Sequence, residues 1–108
     1  MNKDSKALWL GLRSKLPKYD VRLGTATAQG YVQDPLHLAF VAARYKFCAR
    51  MLSGMDTVIE IGCGDAFGAP IVAQEVNSLI CTDIDAVTLE DNRTRCGMFD
   101  NVSFEYFD

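Results

Sequence analysis

No apolar run in this chain comes near the roughly 20 residues needed to cross a bilayer. The opening Met1-Asn2-Lys3-Asp4-Ser5-Lys6 leads into neither the apolar core nor the small-residue cleavage site of a secretory signal. Positive charge is scarce as well: 11 Lys and Arg face 14 Asp and Glu, a net charge of -3. That balance argues against electrostatic attachment to nucleic acid or anionic lipid. Histidine occurs once, as His37, which excludes a multi-histidine metal site within one chain and leaves a single imidazole base. The four cysteines, Cys48, Cys63, Cys81 and Cys96, form no C-x-x-C pair, so neither a zinc cluster nor a disulfide scaffold is indicated. They read as reduced, mostly buried thiols. A soluble, cytoplasmic chain without metal chemistry is the expectation.

What is present suffices for one small domain. The chain has 108 residues, 49% of them hydrophobic, with no internal repeat, low-complexity tract or dividing linker. Within it, residues 1-34 read as an N-terminal helix and an irregular lid-like segment, and residues 35-108 as a regular alternation of strands and helices. Leu8, Leu12 and Leu16, four apart and with Trp9 beside them, predict an amphipathic helix over 4-16 behind an Asp4 or Ser5 cap, stopped by Pro17. Residues 18-33 show no clear periodicity and are expected to be irregular. Asp34-Pro35 is a helix start, with Asp as side-chain cap and proline at the first helical position; Ser53-Gly54 ends that helix. On it Phe40, Phe47, Cys48 and Met51 share one stripe, the expected core face.

Downstream, Thr57 to Ile61, Ser78 to Thr82 and Val102 to Phe107 are β-rich, separated by helix candidates at Ala69 to Val76 and, behind Asp85, Ala86 to Cys96. This β-α-β-α-β order predicts a parallel sheet with right-handed crossovers. The fold class expected is α/β, a Rossmann-like three-layer sandwich reaching its third strand and preceded by N-terminal helices.

Chemistry concentrates in Val58-Ile59-Glu60-Ile61-Gly62-Cys63-Gly64-Asp65-Ala66-Phe67-Gly68, an apolar strand entering a Gly-rich turn and then a helix. Glycines there permit a tight turn and let a ligand approach the backbone. About 20 residues on, Asp83 ends the second strand, where a carboxylate can accept hydrogen bonds from both ribose hydroxyls. Strand context, Glu60 and the spaced Asp83 together point to an adenosine-containing ligand. Arg44 has two readings: a stem packed on the apolar stripe with its head in solvent or on a structural carboxylate, or an anion receptor making a bidentate contact with a ligand carboxylate.

From residue 36 onward the chain resembles the class I S-adenosylmethionine-dependent methyltransferases, whose first motif is similar to Val58-Ile59-Glu60-Ile61-Gly62-Cys63-Gly64 after a strand. The resemblance implies that Glu60 helps hold the methionine part of S-adenosylmethionine and that Gly62, Cys63 and Gly64 pack against it. It further implies that Asp83 binds the ribose, Ile84 flanks the adenine and Asp108 reaches the adenine amino group. Arg44 is then the candidate partner of the cofactor carboxylate. No catalytic residue is assigned, no metal is expected, and the methyl acceptor is left open.

Two departures accompany the resemblance. Ala66 stands where the motif has a third glycine, so the loop must adopt angles that alanine tolerates or the cofactor must stand further off. The chain also stops at Asp108, before the fourth strand and the motif that often orients substrate. The first strand is then expected to keep an unpaired side, predicting a homodimer across that edge. Two rivals stay open: a non-catalytic cofactor-binding or interaction module, and an NAD(P)-binding Rossmann domain. The latter needs a small residue where Phe67 stands to admit a pyrophosphate.

Overall fold

The computed structural model describes residues 3-108, so that Met1 and Asn2 of the stretch 1-34 lie outside the described residues. The element order is α1 (Lys3–Lys15), α2 (Thr25–Gln33), α3 (Pro35–Met51), β1 (Thr57–Ile61), α4 (Ala69–Ala73), β2 (Ser78–Asp83), α5 (Ala86–Arg95) and β3 (Val102–Tyr106). All three strands and the helices α3 and α5 fall where periodicity and punctuation put them. This is the expected α/β, Rossmann-like parallel arrangement.

The sheet has the order β1-β2-β3, with both neighbouring pairs parallel. Right-handed crossovers moving in one direction across a sheet place α4 and α5 on the same face. The register explains the burial. Val58, Leu79 and Val102 lie side by side, as do Glu60, Cys81 and Phe104. These rows point into the helix layer, where Leu79, Cys81 and Phe104 join Ala49, Ala69, Val72, Ala73 and Leu89 in one core. The alternate row, with Ile59 at 59% and Ile61 at 73% exposure, faces away from it. Among the described residues the helices cover one face of the sheet.

The N-terminal third departs from the sequence expectations. Residues 25-33, expected to be irregular, form α2; the segment 17-24 alone lacks regular structure. No local cap announces α2, because the acceptor for its first turn is remote: Asp65, 38 residues on, accepts from Thr27. Helix α1 begins at Lys3, placing Asp4 and Ser5 inside its first turn rather than at its cap. Among the described residues it buries none of its own side chains and packs on no other element. Asp34 starts α3 through its backbone carbonyl, which accepts from the His37 amide at 3.0 Å, and its side chain caps nothing.

The core face of α3 is also not the expected one. Phe40, Phe47 and Met51 are 58-66% exposed and Cys48 is exposed, while Ala49 is buried and Tyr45 and Leu52 pack against the core. Close approach decides this. At Gly68, just before α4, a Cβ would collide with the Tyr45 ring, so the two segments meet through glycine, alanine and one aromatic face. Large side chains on the other stripe are left outside. Cysteine burial follows expectation for Cys63, Cys81 and Cys96.

Candidate functional site

The strand-to-helix turn after β1 is built from unusual backbone. Gly62, Gly64 and Ala66 have φ of 77°, 57° and 58°, the left-handed region that glycine enters freely and alanine enters at a cost of about 1–2 kcal/mol. Ala66 is held there by burial, at 2% exposure, and by its amide donating to the Cys63 carbonyl at 3.0 Å. Thus the loop takes the glycine-like angles with alanine in place. A Cβ placed on Gly62 or Gly64 would meet open space, so the convex side of the turn is accessible backbone.

Two neighbouring elements clamp the turn. The amides of Gly62 and Cys63 both donate to the Thr82 carbonyl at 2.9 Å, and the Gly64 amide donates to Asp83 Oδ2 at 2.8 Å. Asp83 Oδ1 accepts from the Asp85 amide at 3.0 Å. Asp83, read from sequence as free for a ligand, is therefore already the strut between the turn and the end of β2. A carboxylate offers about four acceptor positions, so two remain for a ligand. Asp85 caps α5 as expected, accepting from the Val87 and Thr88 amides at 3.1 and 3.3 Å and from the Thr88 hydroxyl at 2.7 Å.

From the other side α5 satisfies the turn's carbonyls. Asn92 Nδ2 donates to the Gly64 carbonyl at 2.8 Å, and Arg95 Nη2 donates to the Asp65 carbonyl at 2.7 Å. Arg95 is itself held by Asp91 at 2.7 Å, with Arg22 on the far side of Asp91 at 2.8 Å. Asp91 is held below the usual carboxylate range by Arg22 and Arg95. Sequence reasoning missed Asn92 and Arg95. The signal for Asn92 was available: it lies three residues after Leu89 and four before Cys96, on the buried stripe of an otherwise polar helix.

Glu60 points into the helix layer beside the Tyr45 hydroxyl of α3. Burial pushes its carboxyl above the ordinary glutamate range, an effect the Tyr45 hydrogen bond opposes. Burial, then the adjoining Glu60, pushes the Tyr45 phenol up. Glu60 Oε1 is buried and has no hydrogen-bond partner, and the residue lines a cavity of about 180 Å³ between α3 and β1. An unmatched buried carboxylate oxygen is costly unless something else satisfies it. Close by, the hydrogen bond with Cys81 lowers Cys63, while that same bond and burial raise Cys81.

The remaining predicted residues divide. The Phe107 amide donates to the Asp83 carbonyl at 3.1 Å, which brings Asp108 to the same sheet end as Asp83, exposed Ile84 and the Gly62–Gly64 turn. Arg44 is exposed in a groove with Phe40, Phe47 and Cys48. Among the described residues no hydrogen bond or ion pair joins it to the turn. No group of three or more His, Cys, Asp or Glu among the described residues is arranged to hold a metal ion. No described helix is long and apolar enough to cross a membrane.

No protein-family model and no curated protein matches the chain. Solved structures do. The N-methyltransferase NodS from Bradyrhizobium japonicum is similar at a TM-score of 0.61 and 15% identity, covering 69% of this chain and 42% of NodS. A dimethyladenosine transferase from Plasmodium falciparum gives 0.55 and 23% identity over 63% of this chain and 25% of its own. The Trypanosoma brucei PRMT1 enzyme-prozyme complex, solved with AdoHcy, gives 0.54 and 18% over 78% and 25%. This chain thus spans less than half the length of each. At these identities the likeness is one of fold, and fold alone does not carry activity. With its parallel α/β sheet, the chain shares the Rossmann-like fold of these solved structures over the part that begins the sheet.

Proposed function

We propose that this chain binds S-adenosylmethionine at the carboxyl ends of β1, β2 and β3, as the cofactor-binding part of a methyltransferase. The observation that carries this reading is an acidic crescent around open backbone, Asp83 with two free acceptor positions and Asp108 at the same sheet end; Glu60, with an unmatched oxygen, lies apart in the cavity between α3 and β1. A sulfonium ligand with an α-ammonium group is cationic where such a site is acidic. The residues present suit that group. Glu60 would take the ammonium, Gly62, Cys63 and Gly64 the methionine backbone, Asp83 the ribose hydroxyls, Ile84 the adenine face and Asp108 its amino group. Arg44 is proposed for the carboxylate.

When bound, the cofactor supplies an electrophilic methyl group, and the protein contributes orientation and electrostatics. Asn92, Arg95 and Asp83 hold the turn before any ligand arrives, which limits the ordering cost of binding. The acceptor is unassigned. A pyrophosphate ligand fits less well: α4 has five residues, Phe67 occupies the approach, and the surrounding side chains are acidic. A non-catalytic module that binds the cofactor without transferring its methyl would use the same crescent, and a methylation assay on a longer chain beside this one separates the two.

Isothermal titration with S-adenosylhomocysteine tests the reading, with NAD and Asp83→Ala as controls. Binding that is lost in Asp83→Ala and absent with NAD is expected; no binding by the folded chain overturns it. Arg44→Ala is expected to lose about 1 kcal/mol or more of affinity if its charge-assisted contact exists. An unchanged Kd returns Arg44 to a structural role.

We also propose a homodimer across the outer edge of β1, which has no partner among the described residues. Exposed Ile59 and Ile61 flank that edge, and the Phe40–Phe47 groove adjoins it at Cys48. Sedimentation equilibrium at tens of micromolar is expected to give a dimer, and a monomer rejects it. Free thiols at all four cysteines suit a reducing compartment such as the cytoplasm.

A further inference from the structure

A second cavity, of about 190 Å³, lies between α2 and the start of α3. Its walls are mainly apolar, from Leu38, Val41 and Phe67, with Gly30 opposite. Three polar side chains line it: Thr27, Tyr31 and His37. The Thr27 hydroxyl is committed to Asp65 Oδ1 at 2.6 Å, and its amide to Asp65 Oδ2 at 2.8 Å. Tyr31 and His37 are exposed side chains with no hydrogen-bond partner among the described residues, and the chain's only histidine is one of them. The volume equals about six waters at roughly 30 Å³ each, the space of one substituted ring.

Its position couples it to the glycine turn. Asp65, which anchors α2, follows Gly64, and Phe67 comes two residues later, so the turn and the cavity share a wall. The Asp65 carbonyl is fixed from behind by Arg95, which makes the anchor of α2 part of the same clamp that shapes the turn.

We propose that this cavity is a binding site for a one-ring phenol. The aromatic ring matches the Leu38, Val41 and Phe67 walls. A phenolic hydroxyl is both donor and acceptor, which suits an imidazole ring nitrogen and a tyrosine hydroxyl together. An apolar pocket with a few convergent polar groups is the usual form of a small-molecule site. That the phenol is the acceptor side of a methyl-transfer reaction rests on the cofactor reading above; that it binds here does not.

The test uses the full chain, ¹⁵N-labelled, titrated with p-cresol while the Gly30 and Phe67 amides and the His37 ring nitrogens are followed by NMR. Saturable shifts at all three are expected, with toluene binding at least fivefold more weakly. His37→Phe should reduce p-cresol to the toluene level. Gly30→Leu, at a position where a Cβ meets open space, should weaken both ligands at least fivefold. Equal affinity for p-cresol and toluene, no saturable shift, or undiminished p-cresol binding in both variants overturns the proposal. Asp108→Ala separates the two readings: it should weaken S-adenosylhomocysteine binding while leaving p-cresol binding unchanged. Loss of cofactor binding by the parent chain with p-cresol binding intact overturns the cofactor reading alone.

Discussion

Both faces of the three-stranded sheet carry large apolar side chains, and those on the two faces end in different environments. On the helix side Leu79 and Cys81 are 2% and 0% exposed; on the other, Ile59 and Ile61 are 59% and 73% exposed. Apolar character alone therefore does not decide burial here. Which face receives helices follows from the handedness of the β-α-β crossovers, and both crossovers run the same way across the sheet.

Shortening one side chain on each face measures what each contributes. Leu79→Ala is expected to cost about 2–5 kcal/mol, the usual range for a fully buried leucine, whereas Ile61→Ala should change stability by no more than about 0.5 kcal/mol in the monomer. Urea unfolding at low protein concentration measures both. Comparable losses would show that the open face is covered in solution.

A smaller effect is expected at the clamp. Asn92→Leu removes the donor to the Gly64 carbonyl and should cost about 1–3 kcal/mol, together with weaker S-adenosylhomocysteine binding. A stability loss with unchanged binding would mean that the turn holds its shape from the Asp83 side alone.

Glu60 gives a pH signature opposite to that of Asp91. Burial raises the folded-state pKa of Glu60, so the fold favours the protonated acid. Its contribution to stability is most favourable below the ordinary glutamate value and is lost as pH rises through the raised one. Asp91 is lowered, so its contribution is present above the ordinary aspartate value and lost as pH falls through the lowered one. Glu60→Gln should flatten the first dependence and leave the second, read from unfolding midpoints across pH 3–8 as about that range. An unchanged profile in Glu60→Gln would show that Glu60 is solvated.

The smallest expected change is at Ala66. Glycine there relieves about 1–2 kcal/mol of left-handed strain, offset by a lost buried methyl of about 0.8 kcal/mol and by greater freedom of the unfolded chain, about 0.4–1 kcal/mol. Ala66→Gly should therefore lie within about 1 kcal/mol of the parent in thermal unfolding. A larger gain would show that alanine strains the turn more than its buried methyl stabilises it.

Legibility followed the range of the interactions. Strands β1 to β3 and helix α5 could be read because alternation, glycine punctuation and the Asp85 cap act within a few residues of the backbone they organise. The placement of Gly62 and Gly64 in a turn and of Asp83 at a strand end could be read for the same reason, since both have local signatures. Helix α2 could not, because its anchor Asp65 is 38 residues away. Nor could the buried face of α3: both of its stripes carry apolar residues, and the choice went to the one that lets Tyr45 pass over Gly68.

Local sequence was enough for the order of the three strands, the helices α3 and α5, the parallel topology and the glycine turn, all consequences of backbone sterics and periodicity. Tertiary structure alone decided that Asp83 braces the turn, that Asn92 and Arg95 back it, and that Tyr31 and His37 share a cavity with Phe67. Each of these depends on where separate elements meet in space, and packing geometry, rather than local preference, selects those meetings.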